Sequence, residues 1–122
     1  MWCWNMKMFI AVTNFFEGIH RYKDAPQQVD FLRNYHRHIF NVKTKIEVFH
    51  DDRELEFIMV KRNINNFINS CLNDEGYFFM ENLSCEQFAD KLYEYLIKEY
   101  GQRKITIEVS EDNENCAIFE GE

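Results

Sequence analysis

The sequence predicts an α+β domain: a four-stranded antiparallel sheet with two helices on one of its faces, in chain order ββααββ. Three observations carry this. Residues 7–20, 36–50 and 105–111 alternate apolar and polar side chains with period two, as half-buried strands do. Two intervening stretches, opening near Phe57 and Ser84, instead repeat apolar residues three and four apart, which is one face of a helix. The 122 residues, 46% apolar with 12 Phe, 6 Tyr and 2 Trp, suffice for one core, and no repeat or composition break divides them.

The first strand, about 7–20, sets Met8, Ile10, Val12 and Phe16 on one face, with Met6 before them and His20 continuing the row. Residues 21–35 follow as a polar loop with the single proline, Pro26, and with Asp24, Gln27, Gln28 and Asp30. It is long for a hairpin connection, and long loops in compact domains are often functional. The second strand, about 36–50, puts His36, His38, Phe40, Val42, Ile46 and Val48 inward and Arg37, Asn41, Lys43, Lys45 and Glu47 outward. It ends at the turn Asp51-Asp52-Arg53. In the first helix, Phe57, Val60, Ile64, Phe67 and Cys71 form the expected buried stripe, and the helix ends near residues 72–76. Ser84 with Gln87 makes a capping box for the second helix, and Leu83 with Phe88 a hydrophobic staple. Phe88, Leu92, Tyr95 and Leu96 are its buried stripe, and Gly101 stops it. The third strand turns Ile105, Ile107 and Val109 inward, with Glu111 next on that side. After a loop at 112–115 comes a last strand around 116–119.

Composition narrows the function classes. A net charge of −7 with no basic stripe argues against nucleic acid as the main partner. No apolar run reaches membrane-spanning length, and Met1-Trp2-Cys3-Trp4-Asn5 lacks the basic start and apolar core of a secretion signal. The four cysteines, Cys3, Cys71, Cys85 and Cys116, have no C-x-x-C spacing; two disulfides are arithmetically open, but reduced thiols in a cytoplasmic protein are the expectation.

The histidines give the chain its chemistry. His20, His36 and His38 fall on the apolar faces of two neighbouring strands, near the ends that the loop joins. A His-x-His pair on a strand sends both rings to one side, and a third histidine across the loop completes a facial set. Zinc takes three neutral imidazoles and keeps a fourth position open in working sites. The competing reading is that of core histidines satisfied by hydrogen bonds alone. Glu111 poses a similar choice. A carboxylate of inward parity either pairs with something or points into water at the strand's end. As a partner it suits two parallel N–H donors, such as those of a guanine-like or pterin ring.

These residues resemble motifs of the 6-pyruvoyl-tetrahydropterin synthase and 6-carboxytetrahydropterin synthase family, over nearly the whole chain from about Met8. Phe16-Glu17-Gly18-Ile19-His20-Arg21 resembles the family's Phe-x-Ala-Ala-His-Arg, and His36-Arg37-His38 its His-Gly-His. Glu56-Phe57-Ile58-Met59-Val60-Lys61 resembles Asp-Phe-x-x-Leu-Lys at the start of the first helix. Glu81-Asn82-Leu83-Ser84-Cys85-Glu86 resembles Glu-Asn-Pro-Thr-x-Glu, and Val109-Ser110-Glu111 with the closing residues 117–122 resembles the segment whose glutamate anchors the pterin.

The resemblance implies a tunnelling fold and a homo-oligomer of stacked rings, as a rule a hexamer, with the pocket between subunits. It implies Zn2+ on His20, His36 and His38, Glu111 as the ring anchor, and a lyase acting on a reduced pterin triphosphate in tetrahydropterin or deazapurine (queuosine) biosynthesis. Two departures qualify it. The family's cysteine, four residues before the first histidine of the His-x-His pair, is Leu32 here, and its Leu-Asp-His element after the first helix is missing. Asp24, Asp30, Tyr35 and Tyr77 are the candidates to replace the lost proton-transfer groups. The alternative is a non-catalytic binder of a pterin or purine nucleotide, and a third possibility is a subunit whose histidines hold no metal. Arg37, in place of the family's glycine, is expected to point away from the metal.

Overall fold

Strands β1 (Met8–His20) and β2 (His36–Val48) pair antiparallel along their full lengths, from Met8 opposite Val48 to His20 opposite His36. Strand β3 (Ile105–Glu111) adds to β2 and β4 (Asn115–Gly121) adds to β3, so the sheet order is β1-β2-β3-β4. Helices α1 (Phe57–Ser70) and α2 (Cys85–Tyr100) connect the two hairpins, which is the predicted ββααββ order. The structure, a computed structural model, describes residues 6–122; segment 1–5, with Cys3 and the stretch read as lacking a secretion signal, lies outside the described residues.

The core lies between the inward face of the sheet and the two helices. Val42, Ile46, Ile105, Ile107 and Val109 are fully buried against Val60 and Ile64 of α1 and Leu92 and Leu96 of α2. The α1 stripe differs from the expectation at one end. Phe57 lies on the correct side but in the first turn, where it stays 60% exposed, and Ile68 supplies the buried contact at the other end. Glu56 caps this helix, its carboxylate accepting from the N–H groups of Ile58 and Met59 at 3.1 Å. The capping box of Ser84 and Gln87 forms on α2, with Leu83 and Phe88 both buried beside it. Polar residues also enter the core: Thr44 of β2 is fully buried, and Asn14 of β1 donates from Nδ2 to the Lys61 carbonyl (3.1 Å) and to Asn65 Oδ1 (2.8 Å), tying β1 to α1.

The loop after β1 is more ordered than its composition suggests. Pro26, φ −65°, leads into a short 3₁₀ helix, Gln27–Arg33, kinked at Val29. Arg33 Nε reaches back to the Ala25 carbonyl at 2.8 Å. Arg37 points away from the histidines as expected, exposed and 3.5 Å from Glu17 on the outer face. Among the described residues no helix is long and apolar enough to cross a membrane.

Beneath the histidines the floor is aromatic, and it depends on Gly18. A Cβ there would stand 2.9 Å from Phe78, 3.0 Å from Phe40 and 3.2 Å from Phe16, all ring atoms. Phe16 stacks on Phe40 at 5.2 Å between centroids, and Phe78 meets Phe40 edge-on at 5.4 Å. Gly18→Ala therefore overpacks a close-packed cluster and is expected to destabilise the fold by about 1–3 kcal/mol. Urea denaturation reads this directly; an unchanged midpoint would mean the rings shift freely.

Candidate metal centre

His20 closes β1 and His36 opens β2 directly opposite it; His38, two residues on, shares their face. Register and alternation thus bring the three rings together. Their centroids lie 4.6 Å (His20–His36), 5.0 Å (His36–His38) and 5.4 Å (His20–His38) apart. One ligand atom from each falls within 4.8 Å of the others, a grouping that can hold a metal ion.

The hydrogen bonds behind the rings settle which nitrogen faces the shared point. Nδ1 of His20 lies 2.9 Å from the Leu83 carbonyl, Nδ1 of His36 lies 2.8 Å from the Asn34 carbonyl, and Nδ1 of His38 lies 2.7 Å from Asp112 Oδ2. Carbonyl and carboxylate oxygens only accept, so each Nδ1 carries the proton. In the neutral rings each Nε2 then holds a lone pair. Metal-ligating histidines have this second hydrogen bond almost invariably, because it sets tautomer and ring orientation.

The segment between the helices supplies one of these anchors. Ile19 donates its N–H to the Gly76 carbonyl (2.8 Å) and accepts from Phe78 (3.0 Å), and Arg21 donates its N–H to the Glu81 carbonyl (2.8 Å). These bonds lay residues 76–83 along the end of β1 and so place the Leu83 carbonyl behind His20.

Glu111 stands at the histidines. Its Oε2 is 3.2 Å from Nε2 of His20 and 3.7 Å from Nε2 of His38. The approach to His20 lacks hydrogen-bonding alignment, so Nε2 of this buried residue is an orphaned polar atom. A buried lone pair facing a carboxylate is a costly arrangement that a shared cation relieves, and on that ground the donor set fits a metal. Burial pulls the His20 pKa down, but contact with Glu111 and the Leu83 carbonyl outweighs it, and the net direction is up from 6.5. His36 moves down, first through burial, then through its two histidine neighbours. Contact with His20 lowers Glu111 against the opposing effect of its burial.

A cavity of about 590 Å³ opens over this cluster, with His20, His36, Glu111, Asp24, Leu32 and Cys85 among its walls. Of the four candidate proton carriers, Asp24 reaches it; Asp30, Tyr35 and Tyr77 are not in its lining. Asp30 instead accepts from Gln27 Nε2 at 3.1 Å. Tyr35 donates to Glu81 Oε2 at 2.5 Å while Arg21 holds Oε1 at 2.7 Å, and that bond keeps the phenol protonated, its pKa raised. Tyr35 and Tyr77 meet edge-on at 5.4 Å, so Tyr77 packs against this strut. Leu32 occupies the wall with an apolar side chain. Cys85, missed as a cavity residue by the sequence reading, presents a thiol pushed up to about 12 by burial and by Glu111 and Glu86, so it stays protonated at neutral pH. Asp112 behind His38 was also missed. Its signal in the sequence was only its place next to Glu111, at the turn into β4.

No protein-family model matches the chain, and no curated protein matches it either.

Proposed function

We propose that this chain is a zinc-dependent lyase of the tetrahydropterin synthase type, acting on a reduced pterin triphosphate. The observation that supports it most is the cluster of three histidines, each with Nδ1 tied back, beside a carboxylate at the mouth of one cavity. His20, His36 and His38 would hold the zinc. When bound, the ion supplies Lewis-acid chemistry, polarising oxygens of the substrate side chain. Glu111, once drawn off His20, has two acceptor oxygens for the N–H edge of the pterin. Asp24 is the cavity carboxylate available to take or return a proton, since Leu32 has none to exchange and Cys85 holds its own. By resemblance the working form is a homo-hexamer of stacked rings, six times 14.9 kDa, which sedimentation equilibrium measures. A monomer mass removes that part of the reading.

The experiment is to supply zinc-loaded protein with dihydroneopterin triphosphate and follow product by chromatography. Turnover is expected, and Asp24→Asn is expected to lower it by about 10²–10⁴-fold, the usual worth of a positioned base. The protonated Cys85 and apolar Leu32 favour a second reading, a non-catalytic binder of a pterin or purine nucleotide. Saturable binding that depends on Glu111, with the ligand recovered unchanged, selects it. Absence of both turnover and binding heat overturns both readings.

A further inference from the structure

We propose that Asp112 is a positioning residue for His38: its carboxylate holds the Nδ1 proton and thereby turns the Nε2 lone pair toward the point shared with His20 and His36. The inference deepens the metal reading above and rests on it. Asp112 begins the turn between β3 and β4, where it and Asn113 adopt φ of 55° and 59°, and Glu114 donates its N–H to the Glu111 carbonyl at 3.0 Å. Asp and Asn tolerate this left-handed backbone better than most side chains.

Leaving β3 this way swings the Asp112 side chain to the far side of His38 from Glu111. Consecutive carboxylates then flank one ring: Asp112 Oδ2 lies 2.7 Å from Nδ1, and Glu111 Oε2 lies 3.7 Å from Nε2. Three bonds fix Asp112 in that place. Its N–H donates to the Ile39 carbonyl at 2.8 Å, Oδ1 accepts from the Ile39 N–H at 2.9 Å, and Oδ2 takes the ring proton. His20 and His36 have only backbone carbonyls behind them. His38 alone has an ionised partner at Nδ1, which favours one tautomer more strongly and makes the ring a better donor to a cation. It is also the one anchor that a side-chain substitution can remove.

Asp112→Asn is the discriminating change. Asparagine keeps the left-handed turn, and its Oδ1 still accepts from Ile39, but it presents an amide NH₂ to Nδ1. A donor there drives the ring to the Nε2–H tautomer and removes the lone pair. Long-range ¹H–¹⁵N spectra of the metal-free protein are expected to show Nδ1–H for His38 in the native chain and Nε2–H in the variant. Zinc affinity, measured by competition with a chromophoric chelator, is expected to fall about 10–100-fold. Asn113→Ala, which strains the same turn without touching His38, is expected to leave affinity unchanged. An unchanged tautomer in Asp112→Asn, or equal weakening by Asn113→Ala, overturns the inference. If the native protein itself takes up no zinc, the metal reading fails, and the tautomer spectrum then decides Asp112's hold on the ring by itself.

Discussion

Replacing His36 with alanine is expected to abolish stoichiometric zinc uptake while leaving the metal-free fold intact. His36 is the cleanest of the three to remove. It is half-buried at the very start of β2, and its one hydrogen bond runs to the carbonyl of Asn34, two residues away in an exposed segment where water can replace it. His20→Ala should lose zinc as well, but it strips the partner from the carbonyl of buried Leu83, at about 1–3 kcal/mol of stability. Comparing the two separates lost ligation from lost packing. The affinity loss for either should exceed the ~10–100-fold expected for a group behind a ligand. Elemental analysis after dialysis, paired with thermal melts of the stripped proteins, reads both effects. Stoichiometric zinc in His36→Ala would remove that ring from the site.

Zinc is expected to raise the melting temperature by on the order of 10 °C or more, with a pH response opposite in sign to that of the metal-free chain. At a thousandfold excess over Kd, a ligand that binds only the native state adds about 4 kcal/mol. For a domain of this size each kcal/mol moves the midpoint by a few degrees. The sign follows from the shifts at the cluster. In the metal-free chain the contribution from raised His20 is complete below 6.5 and is lost as pH climbs through its raised value. His36 is lowered, so the fold gives up stability as pH falls from 6.5 through that lowered value. From this pair, metal-free stability therefore falls on the alkaline side through His20 and on the acid side through His36. Glu111, lowered from 4.5, adds a contribution that disappears only as pH falls through its own lowered value. Zinc must displace protons from the imidazoles, so its stabilisation grows with pH over the same range in which the metal-free chain declines. Melts from about pH 6 to 8 with zinc and with chelator test this. Parallel slopes would mean that zinc and the protons do not compete for these rings.

Much of this site was legible because strand parity is strict. With period two, His20, His36 and His38 could only share a face with Val12, Phe40 and Val42, and Glu111 with Val109. Pairing His20 opposite His36 then brought the rings within reach of one another. Asn14 sits on that same inward parity and was passed over, although a polar residue there needed a partner and finds one on α1. What parity could not convey was contact across the fold. Whether Glu111 pairs or points into water is decided at 3.2 Å from His20, because β3 pairs with β2 in a register that sets Glu111 beside Phe40. Asp112 reaches His38 only through a left-handed turn whose local sequence, Asp-Asn, marks a turn but not its direction. The Gln27–Arg33 segment is two short 3₁₀ turns joined at the Val29 kink, with no apolar period to announce it. Cys85 enters the cavity because α2 begins there, a consequence of helix placement and not of helix pattern.

X-ray absorption at the zinc edge of the loaded protein tests most directly whether three Nε2 atoms meet at one ion. Three imidazole nitrogens at about 2.0–2.1 Å are predicted, with Asp112→Asn reducing their number or ordering. Sulfur neighbours at about 2.3 Å, or fewer than three imidazoles in the native protein, would contradict it.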